Sequence, residues 1–248
     1  METELLAATR QTLWGRLALA NFFLGGTGAG LYVMAASEPG FSVGLAVGPL
    51  LALAGFLCVA AEAGRPLRGL RVLRMVKSSW MSRELWAGGA FIVCSALDLF
   101  LPWIGFRILA WFAAVILIIA QGSILSQSRG VAAWDVPLMP FVFLTSGLAS
   151  GAGLLGIVSA ARGGGESTRI VWETAALILL SGGGWIGYLV WPGDPAFQRA
   201  TAPLRRGSAV AVVLGMGHLL PLLLLTLGSW FPGFLIESLV LAGAGILI

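Results

Sequence analysis

The stretch Trp14-Gly-Arg-Leu-Ala-Leu-Ala-Asn-Phe-Phe-Leu-Gly-Gly-Thr-Gly-Ala-Gly-Leu-Tyr-Val-Met-Ala-Ala36 decides the fold. It carries one charge, Arg16, and exceeds the roughly 20 residues needed to cross a bilayer as a helix. A signal-peptide apolar region is shorter, about 7–15 residues. No small-residue cleavage site follows a basic leader, so the stretch reads as a retained first membrane helix.

The same reading extends outward along the chain. Further apolar stretches fall at 43–62, 85–101, 104–126, 137–160, 170–191, 208–228 and 231–248. Trp14, Trp86, Trp103, Trp134, Trp172, Trp191 and Trp230 lie near their ends, where the two solvents meet. Hydrophobic residues make up 58% of the 248 and charged residues 10%, against about 25% charged in soluble domains. So few charges cannot cover a water-facing surface. The expectation is an all-α integral membrane protein of about eight transmembrane helices, forming one membrane domain of two four-helix bundles. Its solvent partner is the lipid bilayer, and nothing points to nucleic acid.

Composition also limits the chemistry. Cys58 and Cys94 are the only cysteines, too few for an iron–sulfur cluster held by about four. His218 is the single histidine, which excludes a haem held by two histidines of this chain. No metal is expected.

Eight helices place both termini on one face, with loops 62–84, 127–136 and 192–207. That face holds 12 of the 15 basic residues, and Arg65, Arg68, Arg71 and Arg83 belong to one loop. The charge rule for membrane proteins makes this face cytoplasmic; a docking surface for an acidic partner is the second reading. An internal echo links Phe23-Leu-Gly-Gly26 to Phe143-Leu-Thr-Ser146, each followed by small residues. It suggests a parallel repeat of 14–126 and 137–248.

In hydrocarbon a polar side chain must find a partner, so polar groups inside helices are informative. Asn21 precedes Gly25, Gly26, Gly28 and Gly30, a small-residue groove open to a neighbouring helix or a flat ligand. Gln121 falls at the same depth on an antiparallel helix. With Trp134 nearby, two amides are able to donate to the two carbonyls of a quinone; two unrelated interhelical hydrogen bonds are the plainer alternative. Asp135 reads as a helix N-cap or as a proton acceptor beside such a site. His218, three residues before Pro221, reads as a functional intramembrane group or as a filler of the proline's bonding gap. Asp98 and Arg107 are expected to pair or to snorkel to water.

In these stretches the chain resembles the NrfD/polysulfide-reductase-type membrane subunits. The resemblance rests on Asn21-Phe-Phe-Leu-Gly-Gly-Thr-Gly-Ala-Gly30, on Glu62-Ala-Gly-Arg-Pro-Leu-Arg68 with Ser79-Trp-Met-Ser-Arg83, and on Trp134-Asp-Val-Pro-Leu-Met-Pro140 with Ser146-Gly-Leu-Ala-Ser-Gly151. It covers roughly the first 155 residues. It implies a haem-free anchor in a bacterial or archaeal inner membrane that binds menaquinone or ubiquinone. It further implies a ferredoxin-like iron–sulfur partner docked near Arg65 and Arg83, and a molybdopterin catalytic subunit beyond. Asn21 maps onto a pocket-lining position. Ala120 stands where the family often carries a tyrosine. A secondary transporter and an anchor with a degenerate pocket are the rival readings.

Overall fold

The computed structural model describes residues 14–38, 42–62, 72–161 and 168–231, together with Gly243. Long helices are α1 (Arg16–Ala36), α2 (Ser42–Glu62), α3 (Trp80–Phe100), α4 (Ile104–Ser126), α5 (Met139–Ala161), α6 (Thr168–Leu189) and α8 (Gly207–Trp230); α7 (Pro195–Thr201) is a short loop helix. Six of them, all but α3 and α7, are long and apolar enough to cross a membrane. Helix α3 has the length but carries Arg83, Glu84 and Asp98. The chain is thus an all-helical, multi-pass membrane protein. The stretch expected at 231–248 lies outside the described residues, apart from Phe231 and Gly243.

The expected boundaries hold to a few residues, except that α3 begins at Trp80, five positions early. The reason is local. The Ser82 hydroxyl donates to the Val72 carbonyl, and Trp86 Nε1 donates to Leu73 O at 3.0 Å. These bonds fold the 3-10 turn Val72–Met75 back along the helix start. The polar residues that hide the start from hydropathy are the ones that build it.

Helix α1 is the hub, packing against α2, α4 and α5. Its glycines are dealt out among these neighbours. A Cβ on Gly28 would lie 2.4 Å from the Gly48 carbonyl of α2, and one on Gly30 2.0 Å from the Gly147 carbonyl of α5. One on Gly151 would sit 2.1 Å from the Gly30 carbonyl carbon. The groove read in the sequence is therefore filled by helices α2 and α5, and the two echoing stretches meet there. Without water there is no hydrophobic drive between helices, so such close backbone contact supplies the dispersion that holds them. Large apolar residues such as Leu50, Leu57, Phe100, Ile104 and Val190 point outward, as a lipid-facing surface requires.

Glu62, at the end of α2, accepts from Gly15 N at 2.9 Å and Ala18 N at 2.8 Å. A carboxylate here satisfies two of the four orphan donors of the α1 N-terminus and opposes its positive dipole end. We expect Glu62→Ala to destabilise the protein by about 1 kcal/mol, a modest value because the carboxylate is exposed. A thermal melt in detergent reads this, and an unchanged midpoint would show that water replaces the cap.

Candidate functional site: a buried carboxylate between two amides

The expected pairing of Asn21 and Gln121 occurs, and a third residue organises it. Asn21 Nδ2 donates to Glu84 Oε1 at 2.9 Å. Gln121 Nε2 donates to the same oxygen at 3.3 Å and to the Asn21 carbonyl at 3.3 Å. The three residues come from α1, α3 and α4; Asn21, Glu84 and Gln121 are 3%, 7% and 0% exposed. Glycines make the room. A Cβ on Gly25 would strike Gln121 Nε2 at 2.4 Å, and one on Gly55 would press on Asn21 at 3.1 Å.

Glu84 sets the orientation of both amides. A carboxylate oxygen only accepts, so each side chain must turn its NH2 toward it. Their carbonyl oxygens, Asn21 Oδ1 and Gln121 Oε1, are then buried with no donor. Among the described residues no cation pairs with Glu84. Two orphan acceptors beside a carboxylate held only by neutral donors invite a ligand that brings hydroxyls.

Glu84 is the residue the sequence reading missed. It directly follows Ser79-Trp-Met-Ser-Arg83, and attention to that motif's cations obscured it. The available signal was position: α3 buries Ala87, Gly88, Phe91 and Ser95 on the face that carries Glu84 and Asp98. An acid on the buried face of a membrane helix is a functional candidate by itself.

The other expected residues are distributed around this cluster. Trp134 meets Trp14 edge-on at 5.7 Å, and Trp14 stacks at 5.6 Å on Phe22, the neighbour of Asn21. These rings form an aromatic cap above the amides, together with Ile124 and Leu125. Asp135 is exposed and lies four residues before α5 begins at Met139, so it does not cap that helix. Arg83 turns inward on its own loop: Nε donates to Val76 O and Nη2 to Lys77 O, both at 3.0 Å, with the guanidinium 4.2 Å over the Trp80 ring. Arg65, Arg68 and Arg71 lie outside the described residues.

Asp98 and Arg107 pair as expected, Nε to Oδ2 at 2.9 Å. They stand at the opposite end of α3, with Tyr32 beside Asp98 and stacked on Phe91 at 5.1 Å. Cys58 and Cys94 are free thiols. No group of three or more metal-ligating side chains occurs among the described residues.

His218 does not join Asp135. It sits in the π-helical segment Ala211–Leu219 of α8, and its Nδ1 bonds Val213 O at 2.6 Å. Its Nε2 lies 3.0 Å from Ser181 Oγ. Ser181 in turn is 3.1 Å from Ser146 Oγ, which accepts from Trp185 Nε1 at 3.3 Å. The histidine does fill a backbone bonding gap, but that gap belongs to the π-turn upstream of Pro221.

No family model matches the chain. A membrane-complex protein of Allochromatium vinosum, one of the subunits of its sulfite dehydrogenase, is similar to it: 28% identical over 207 residues that cover 75% of this chain and 61% of that protein. The chain thus spans less than two thirds of the relative's length.

Proposed function

We propose that this protein is the membrane subunit of a respiratory oxidoreductase complex and exchanges electrons between the quinone pool and an iron–sulfur partner. The observation that carries the reading is the Glu84 carboxylate bonded by Asn21 and Gln121, with two amide oxygens left without donors. A quinol, whether of menaquinone or ubiquinone, presents two hydroxyl donors on a flat ring. In its oxidation each hydroxyl proton needs an acceptor, and Glu84 stands within reach of the amides that would hold the ring. The similarity to part of a sulfite dehydrogenase supports a redox complex. It also supports a catalytic subunit beyond the iron–sulfur protein, which we take to be a molybdopterin enzyme. Docking falls on the basic face around the segment 62–84, in a bacterial inner membrane. Glu84 replaces Asp135 in our assignment of the proton acceptor.

The test is turnover of the whole complex in membranes with a water-soluble quinol analogue. Asn21→Leu and Gln121→Leu each remove one arm of the cluster. Each is expected to lower quinol-linked turnover about 10- to 100-fold, while the complex still assembles. Full turnover in both variants would make this chain a structural anchor and end the quinone reading. A transporter is the second reading, because α8 is π-helical around an intramembrane histidine. Recovery of the chain alone, with neither quinone nor an iron–sulfur protein, would favour it.

A further inference from the structure

A separate cavity of about 250 Å³ lies between α1, α5, α6 and α8, walled by Phe23, Ala149, Ile178 and Val213 and closed on one side by Ser146, Ser181, Trp185 and His218. It exceeds the roughly 150 Å³ space that accepts a benzene ring. Apart from His218, none of its lining residues is ionisable. Phe23 is 50% exposed on the outer surface of α1, at the side where lipid lies. The cavity therefore suits a neutral ring delivered from the bilayer, not an ion or a phospholipid headgroup.

The hydrogen-bond chain along its polar wall has a single allowed direction. An indole N–H only donates, and a peptide carbonyl only accepts. Val213 O therefore takes the proton of His218 Nδ1, which leaves Nε2 of the neutral ring as an acceptor. Ser181 then donates to Nε2, Ser146 donates to Ser181, and Trp185 donates to Ser146. Every hydrogen in the chain is committed. Each serine oxygen keeps one lone pair. The wall offers acceptors and no donor, so it selects a ligand that carries a hydroxyl over one that carries a carbonyl.

We infer that this cavity is a second lipid-borne ligand site, selective for the reduced, hydroxyl-bearing form of a quinone, whose O–H donates to Ser146 or Ser181. The inference rests on the quinone-pool reading but not on the Glu84 cluster, which lines none of this cavity. It is tested with a photoreactive azido-decylbenzoquinone, added reduced and without oxygen to membranes containing the full complex, with the labelled peptides mapped by mass spectrometry. Label is expected on 178–185 or 213–218, and decylubiquinol should displace it better than decylubiquinone. Ser181→Ala breaks the chain and should lower that label about 5- to 10-fold, the value of one hydrogen bond. Ser181→Thr should restore it. Ser150→Leu fills the cavity and leaves the chain intact, and should also abolish the label. Equal competition by the oxidised analogue, or label that survives Ser181→Ala, overturns the inference. So does quinol turnover with label only near Asn21, Glu84 and Gln121, an outcome that leaves the quinone reading standing. No label and no turnover overturns both.

Discussion

Replacing Glu84 with glutamine is expected to lower quinol-linked turnover by at least about 100-fold, the contribution of a positioned proton acceptor. The substitution preserves shape. The new amide oxygen still accepts from Asn21 Nδ2, so the three helices keep their contact and the complex should assemble at wild-type levels. What is lost is the ability to take a proton. Glu84→Asp shortens the reach but keeps the chemistry, and should recover part of the rate. The measurement is quinol oxidation by membranes matched for complex content. Turnover within about twofold of wild type would remove Glu84 from the reaction and reduce the cluster to interhelical packing.

Gly30→Ala should be the most damaging single-methyl change in the protein. Its Cβ would stand 2.0 Å from the Gly147 carbonyl oxygen and 2.7 Å from its carbon. Both are backbone atoms with no rotamer to yield, so α1 and α5 must separate along the crossing. Overpacking of this kind costs about 3 kcal/mol or more where nothing flexible can move. Expression of the tagged chain and its melting in detergent report the loss. Gly89→Ala, whose Cβ would meet nothing within 4 Å, is the matched control. Equal melting of the two would mean that the α1–α5 contact is looser than these distances require.

Helix number, order and most ends were legible because a bilayer imposes a length and an apolar composition on every span. Helix α3 was the exception, since Trp80, Ser82 and Arg83 lower its apparent apolarity while bonding the turn before it. The depth match of Asn21 and Gln121 was also legible, because antiparallel helices and residue counts fix depth. Two things were not. Which side of α3 faces inward depends on its rotation, and that hid Glu84. Which partner fills a small-residue groove depends on tertiary contact, and here α2 and α5 fill it. Asp135 and His218 looked like members of one site because both are polar and lie near apolar runs. Distance in space separates them: Asp135 is exposed on a loop, and His218 is bonded to α6 across the cavity.

At the α1–α5 crossing two backbones touch with no side chains between them, so there are no alternative rotamers through which one helix might slide on the other. The joint behaves as a keyway, not a bearing. Asn21 and Phe23 on one side and Ser146 on the other are locked in register by Gly30, Gly147 and Gly151. Anything one polar site conveys to the other must pass as charge or as protons along bonded groups, while the frame that carries both stands still.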